Sequence, residues 1–445
     1  MWPSKWYSSI VFIFWSWSVA AQQETTIPML SFTPQSGYAD VTRLSNFRTS
    51  VAFPILGGLH QSFLNSGFTF NELVTSDNVV DPNRVIPGLN KMNFLTTNGS
   101  LEWFNVRIRK DDKQWKVSLR EVYSLRVNYP QTLAQLVWYG NGYFAGQTAD
   151  LSGFRIQQNL YRELAIGYTK KINDRWTIGF KPKLLFGITN VTTRHSTNTL
   201  YTESNGLELT GTADIDIYTS GLIDEQGEIA VEAKTFLGLK NLGWGLDAGT
   251  RYKVSDKVTL SANAVNLGMI RWKNQITRYD VNGEYTYTGL VLRDSADLAN
   301  ADWQNVLDTL ESIFKPDISR SAYTSYLSPQ IYLTGEYVYS QKLTLFASYI
   351  SDIYYRYRPM FSVGGVVQLG QLFQATVNYT YMTENAFNLG GGFAFNAGPV
   401  QLYVSCDHLP AAFDPYNQKY FNVRGGINFV FGKVDSGTVP LTEEK

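Results

Sequence analysis

From Leu372 to Tyr381 the chain alternates with a period of two residues. Phe373, Ala375, Val377, Tyr379 and Tyr381 occupy one set of positions, and Gln374, Thr376, Asn378 and Thr380 the other. Side chains that alternate in this way lie on opposite faces of a β-strand, and no helical period reproduces the pattern. Two further segments repeat it. Phe387, Leu389, Phe393 and Phe395 interleave with Asn388, Gly390, Gly392 and Asn396, while Val400, Leu402 and Val404 interleave with Gln401, Ser405 and Asp407. The polar set consists of Gly, Asn and Thr rather than Lys and Glu, which fits an enclosed lumen better than open solvent. Short strands with one apolar and one small polar face predict an all-β fold, a transmembrane antiparallel β-barrel.

The two ends of the chain agree. Lys5 precedes the apolar run Ile10–Trp15, which closes on Val19-Ala20-Ala21. That pattern predicts a secretory signal peptide over residues 1–21, with no cysteine after it to carry a lipid. Residues 22–46 read as an N-terminal segment that can plug a barrel, residues 47–431 as the barrel, and residues 432–445 as a polar tail. Near the end, Val423, Ile427, Phe429 and Phe431 form an amphipathic strand suited to closing the wall. No second apolar stretch of about 18 residues occurs, which excludes helical spans. Aromatic residues at 15% suit the two interfacial girdles of a barrel. A net charge of zero gives nucleic acid no reason to bind.

Short polar turns recur at Asp111-Asp112-Lys113, Asn173-Asp174-Arg175, Ser255-Asp256-Lys257, Ser340-Gln341, Gly370-Gln371 and Asn396-Ala397-Gly398. In bacterial barrels short turns are periplasmic and long loops extracellular. The longer connections near 127–152, 194–204, 272–326 and 408–419 are therefore expected outside the cell. Residues 205–241 are either an extra strand pair or a surface excursion, so the count is 14 or 16. Helical spacing is read over Pro130–Tyr139 and Asp302–Phe314. In 175–191, Trp176, Ile178, Phe180, Leu184, Phe186 and Ile188 are assigned outward. Glu121 and Arg162 share the outward set with apolar neighbours, and are placed near an interface rather than on a bulge. Cys406 reads as a small lipid-facing hydrophobe.

His60, His195 and His408 are too scattered for a metal site, and no nucleophile elbow or zinc motif occurs. No cofactor, metal or catalytic residue is assigned, and the chain is read as a non-enzyme. Gly390-Gly391-Gly392 lies inside an alternating strand and serves close packing or lumen clearance rather than phosphate binding. The candidate site is the set of charged residues facing the lumen: Arg107, Arg109, Arg120, Lys181, Lys183, Asp247, Arg251, Glu336 and Arg424. Two readings of this set are open. The charges pair into a network that narrows the lumen, or they line a path that favours anionic head groups.

Several segments carry a resemblance: Tyr161–Tyr168, Trp176 with Gly179, Asp247-Ala248-Gly249 with Tyr252-Lys253, Asn266–Trp272, and Phe53-Pro54 through Ser66-Gly67-Phe68. Together they resemble a family of bacterial outer-membrane barrels with no assigned function. More distantly the chain is similar to 14-stranded fatty-acid transporter (FadL-like) barrels and to shuttle or anchor barrels of type IX secretion. The resemblance implies residence in the bacterial outer membrane. The function it implies is a gated channel for small hydrophobic or amphipathic molecules. The alternative is a scaffold or cargo-handling component of a secretion or surface-assembly complex. The partners expected are lipid bilayer, lipopolysaccharide, a hydrophobic small molecule and secretion-complex proteins.

Overall fold

The computed structural model describes residues 24–77, 79–206, 208–222, 239–288, 316–352, 358–382 and 386–434. The signal peptide, the helix over Asp302–Phe314 and nearly all of the polar tail lie outside the described residues. A closed antiparallel barrel of 14 wall strands results, which resolves the count left open between 14 and 16.

The wall begins with β1 (Phe47–Ala52) and β2 (Leu59–Asn65), which share one lane between β3 (Met92–Lys110) and β20 (Tyr420–Lys433). It continues through β4 (Lys113–Pro130), β6 (Arg155–Lys171), the first half of β7 (Trp176–Thr202), β9 (Asn241–Lys253) and β10 (Val258–Trp272). The next lane is shared by β13 (Tyr323–Tyr326) and β14 (Gln330–Val338). Then come β15 (Leu343–Asp352), β16 (Arg358–Leu369), β17 (Phe373–Met382), β18 (Asn388–Ala397) and β19 (Val400–Cys406), which pairs with β20 and closes the ring. Closure leaves no strand edge in the wall and satisfies the backbone that lipid cannot.

Two-residue alternation carries through the wall. Gln374, Thr376, Asn378 and Thr380 are buried inward, whereas Val377, Tyr379 and Tyr381 are exposed outward. Tight turns join the strands at one end, with Asp111, Gly370 and Gly398 all at positive φ. At the other end the strands run past the wall. Beyond its first half, β7 pairs with β8 (Glu208–Ser220), which pairs with β11 (Ile276–Thr288) and then β12 (Asp317–Ser319). β5 (Gln147–Asp150) lies on the other side of β7. The ambiguous region after residue 205 thus contributes an excursion beyond the wall rather than a wall pair. The helix read near Pro130 is present as Gln131–Tyr139 and ends at Gly140, whose φ of 74° suits glycine at a helix C-terminus.

Three sequence readings change in detail. Ile188 is buried, because it is the extra residue at a register shift between β6 and β7, where Leu160 pairs with Thr189 and Tyr161 with Gly187. Cys406 keeps outward parity but is buried instead of lipid-facing. Its cross-strand neighbour Gly391 lies under Leu409, from the helix Leu409–Phe413. Glu121 and Arg162 need no bulge: they face each other across β4 and β6 and form an ion pair on the outward face, so neither charge stands alone there.

Candidate functional site

Residues 24–46 enter no strand. They run inside the barrel, from Thr25 and Thr26 near the long-loop end to Ser45 at the short-turn end, where β1 begins. Almost every side chain of this segment is buried. Short 3₁₀ turns at Ile27–Met29 and Pro34–Tyr38 compact it, and Thr33 caps the second by accepting from the Ser36 amide.

Extended or turned backbone inside a barrel needs hydrogen-bond partners, and the wall supplies them with neutral amides. The Phe32 amide donates to Gln374 at 3.1 Å while its carbonyl accepts from Gln401 at 3.1 Å. Val41 repeats the arrangement, donating to Asn263 at 3.1 Å and accepting from Thr169 at 2.7 Å. Ser45 donates to Gln114 at 2.7 Å. At the opposite end the Thr25 and Thr26 amides donate to Asp407 at 3.0 and 2.8 Å. Burial pushes the Asp407 carboxyl up to about 6, against the hydrogen bonds from Thr25 and Thr26. Glycines give the segment room: a Cβ on Gly179 would lie 2.4 Å from the Val41 carbonyl oxygen, and one on Gly390 would lie 2.7 Å from Thr26 Oγ1. An apolar patch completes the seat, with Ile27, Leu30 and Phe32 on Ala394 and Tyr403, and Met29 on Phe346 and Val366.

The lumen charges assemble around Tyr38. Lys116 Nζ lies 4.1 Å from its ring centre, the Arg120 guanidinium 4.2 Å, Lys181 Nζ 4.9 Å and the Arg424 guanidinium 5.5 Å. Its hydroxyl meets Glu102, which also accepts from Gln35 at 2.8 Å. Cations over an aromatic face are held by the ring quadrupole, more strongly when desolvated.

All nine sequence candidates fall into three ion-pair groups or contact the segment itself. Arg120 forks onto Glu163 at 3.1 and 3.0 Å, and Lys183 bridges Glu163 at 3.2 Å and Asp247 at 2.7 Å. Lys181 lies 2.6 Å from Asp247. Nearer the short turns, Arg251 pairs with Glu336 at 2.9 Å and with Asp40 of the segment, and the segment's Arg43 also reaches Glu336. Arg424 forks onto Glu24. Arg107 donates to the Pro34 carbonyl. Arg109, at a turn, donates to the carbonyl of the segment's Ser45 at 2.5 Å and to that of Asp111 at 3.0 Å. The candidates omitted Glu102, Glu163, Lys116, Asp407 and the amide holders Gln374, Gln401, Asn263 and Gln114. Inward parity was the only mark of all but Glu102, which shares the outward parity of Phe104 and is turned inward by the register shift at Trp103; the inward aromatics Tyr403 and Phe346 break the polar set.

Above Tyr38, toward the long-loop end, the lumen keeps a cavity of about 200 Å³. Its walls mix Asn98, Ser100, Ser124, Gln157 and Asn159 with the rings of Tyr161 and Tyr332, over Glu24, His60, Arg120 and Arg424. His60 Nε2 lies 3.9 Å from Glu24. A cluster of Tyr161, Leu185, Tyr218, Ile270, Trp272, Tyr323 and Leu327 packs beside it. Among the described residues no group of three or more metal-ligating side chains converges.

A closed ring of strands with an apolar outside and a segment sealed in its polar lumen defines a β-barrel of the membrane-spanning kind, as the strand alternation predicts. The chain belongs to the family of unknown function DUF5723, whose model matches residues 43–407. No curated protein matches it. Among solved structures it is similar to the Pseudomonas putida toluene transporter TodX, at 10% identity and a TM-score of 0.40, over 94% of this chain and 97% of that one. A FadL homologue from Pseudomonas aeruginosa matches at 12% identity and 0.43, over 93% and 98%. The translocator domain of the autotransporter NalP from Neisseria meningitidis matches at 9% and 0.35, over 88% and 91%.

Proposed function

We infer that the protein is an outer-membrane channel for small amphipathic molecules, closed at rest by residues 24–46. The observation that carries this reading is the way the segment is held. It lies below a cavity, fills the lumen, and is attached by side-chain hydrogen bonds, ion pairs and a cation-lined ring rather than by strand pairing. Each of these contacts has a substitute in water, so the segment can leave without opening the wall. The cavity above it suits a solute with both hydrogen-bonding groups and an apolar body, because amides and tyrosine rings alternate around it. By the rule for bacterial barrels, the cavity faces the cell exterior and the short turns the periplasm.

The test is single-channel conductance of the barrel with and without residues 24–46. A quiet full-length barrel and a conducting truncated one support the reading. Silence in both sinks it and moves the assignment to the scaffold alternative, which the sheet of β7, β8, β11 and β12 beyond the wall favours as a surface for protein partners.

A further inference from the structure

The outward face of the wall carries a groove that passage through the lumen does not use. It has a volume of about 550 Å³ and crosses β7, β9, β10, β14, β15 and β16. Trp176, Tyr252, Leu260, Tyr349 and Phe361 form its sides. The floor is low because the register sets Gly335 between Leu260 and Ala347, three neighbours of which two have almost no side chain. Nothing in the backbone demands glycine there: a Cβ at Gly335 would meet only Leu260 Cδ2, at an ordinary 3.5 Å. The depression therefore comes from side-chain choice.

The charges beneath the groove are unbalanced. On the turns below it, Lys171 pairs with Asp174 at 2.8 Å and Lys253 with Asp256 at 2.7 Å. Arg175 and Lys257 on these two turns, and Lys342 on the next turn, between β14 and β15, are exposed and have no acidic partner among the described residues. Trp176 and Tyr252, with ring centres 4.7 Å apart and planes inclined at 49°, lie between these cations and the floor, at the level where interfacial aromatics sit. A long apolar channel ending in unpaired cations is complementary to one amphiphile, with its anion at the turns and its chain against the wall.

We propose that this groove seats an acyl chain of an anionic glycerophospholipid from the leaflet at the short-turn end, its phosphate held by Arg175, Lys257 and Lys342. The proposal rests on the membrane-spanning reading and is independent of whether the lumen conducts. Basic residues at a membrane surface select anionic lipids through their charge, and the apolar groove retains the chain.

The full-length barrel is reconstituted in vesicles of equal parts phosphatidylethanolamine and phosphatidylglycerol, extracted in mild detergent and weighed by native mass spectrometry. A single retained phospholipid is expected, with phosphatidylglycerol bound about five times as often as phosphatidylethanolamine. Gly335→Phe fills the floor and loses the lipid. Arg175→Gln, Lys257→Gln and Lys342→Gln together keep a lipid and lose the enrichment. No retained lipid in the parent, an undiminished lipid in Gly335→Phe, enrichment surviving the triple change, or a second barrel copy in place of lipid each overturns the proposal. Flotation of every variant with the vesicles reports insertion separately, so a parent that fails to float would count against the membrane reading instead.

Discussion

At Asp407 one carboxylate receives two backbone amides from the N-terminal segment in a site with little water. Its proton is held more tightly than in the unfolded chain, with the carboxyl near 6 rather than near 4. A raised folded value adds stability that is complete below the unfolded value and fades as pH rises through the folded one. Asp407→Asn removes this titration. Compared with that variant, the parent should lose about 2 to 3 kcal/mol between pH 4 and pH 7, read as the pH dependence of the unfolding midpoint in detergent. A parallel pair of profiles would count against the assignment. Parity in the sequence placed Asp407 on the inward face, yet its partners could not be read there, because Thr25 and Asp407 are brought together only by the closed ring. Glu163 and Lys116 were missed for a related reason. Each lies in a strand whose charges look like ordinary alternation until the neighbouring strands around Glu163 and the segment against Lys116 are known.

The segment of residues 24–46 is the element whose behaviour the side chains determine most directly. Tyr38 is its central contact, with four cations around the ring and Glu102 at the hydroxyl. Removing the ring leaves those cations facing one another with less to hold them. Tyr38→Ala should speed hydrogen exchange of the amides of residues 26–42 by about thirtyfold, equivalent to ~2 kcal/mol of local stability. Exchange in β15 to β19 should stay slow. Equal acceleration in wall and segment would instead mean that Tyr38 supports the barrel as a whole. The sequence named this stretch as able to plug a barrel from its position alone, since it has no periodic pattern. Its fit depends on Gly179, Gly390 and inward amides that belong to distant strands. The strands were legible because lipid outside and a polar lumen inside impose a two-residue period on every wall segment. The β8 and β11 excursion was not, because above the wall neither face has to be greasy.

Across the whole molecule, the balance of lumen charge depends on the segment being present. Glu24 and Asp40, the partners of Arg424 and Arg251, leave with it, and so does Arg43, the partner of Glu336, a net loss of one negative charge. Inward bases then outnumber inward acids, and the barrel lacking residues 24–46 should be anion-selective. A reversal potential in a potassium chloride gradient measures this, and a cation-selective pore would show that Glu102, Glu163, Asp247 and Glu336 dominate the opened lumen.

Gln35 sits against the Gly57 carbonyl between β1 and β2, against Glu102 on β3 and against Asn428 on β20. β1 and β2 form the first lane of the wall and β20 the last, and their pairing is the one that shuts the cylinder. The segment therefore acts as a mandrel: the two ends of the sheet are gathered over a strip of the same chain that already spans their join. Gln35→Ala should slow the appearance of the compact, heat-modifiable form on gels while leaving its final yield unchanged. An unaltered rate would mean that the cylinder shuts first and is filled afterwards.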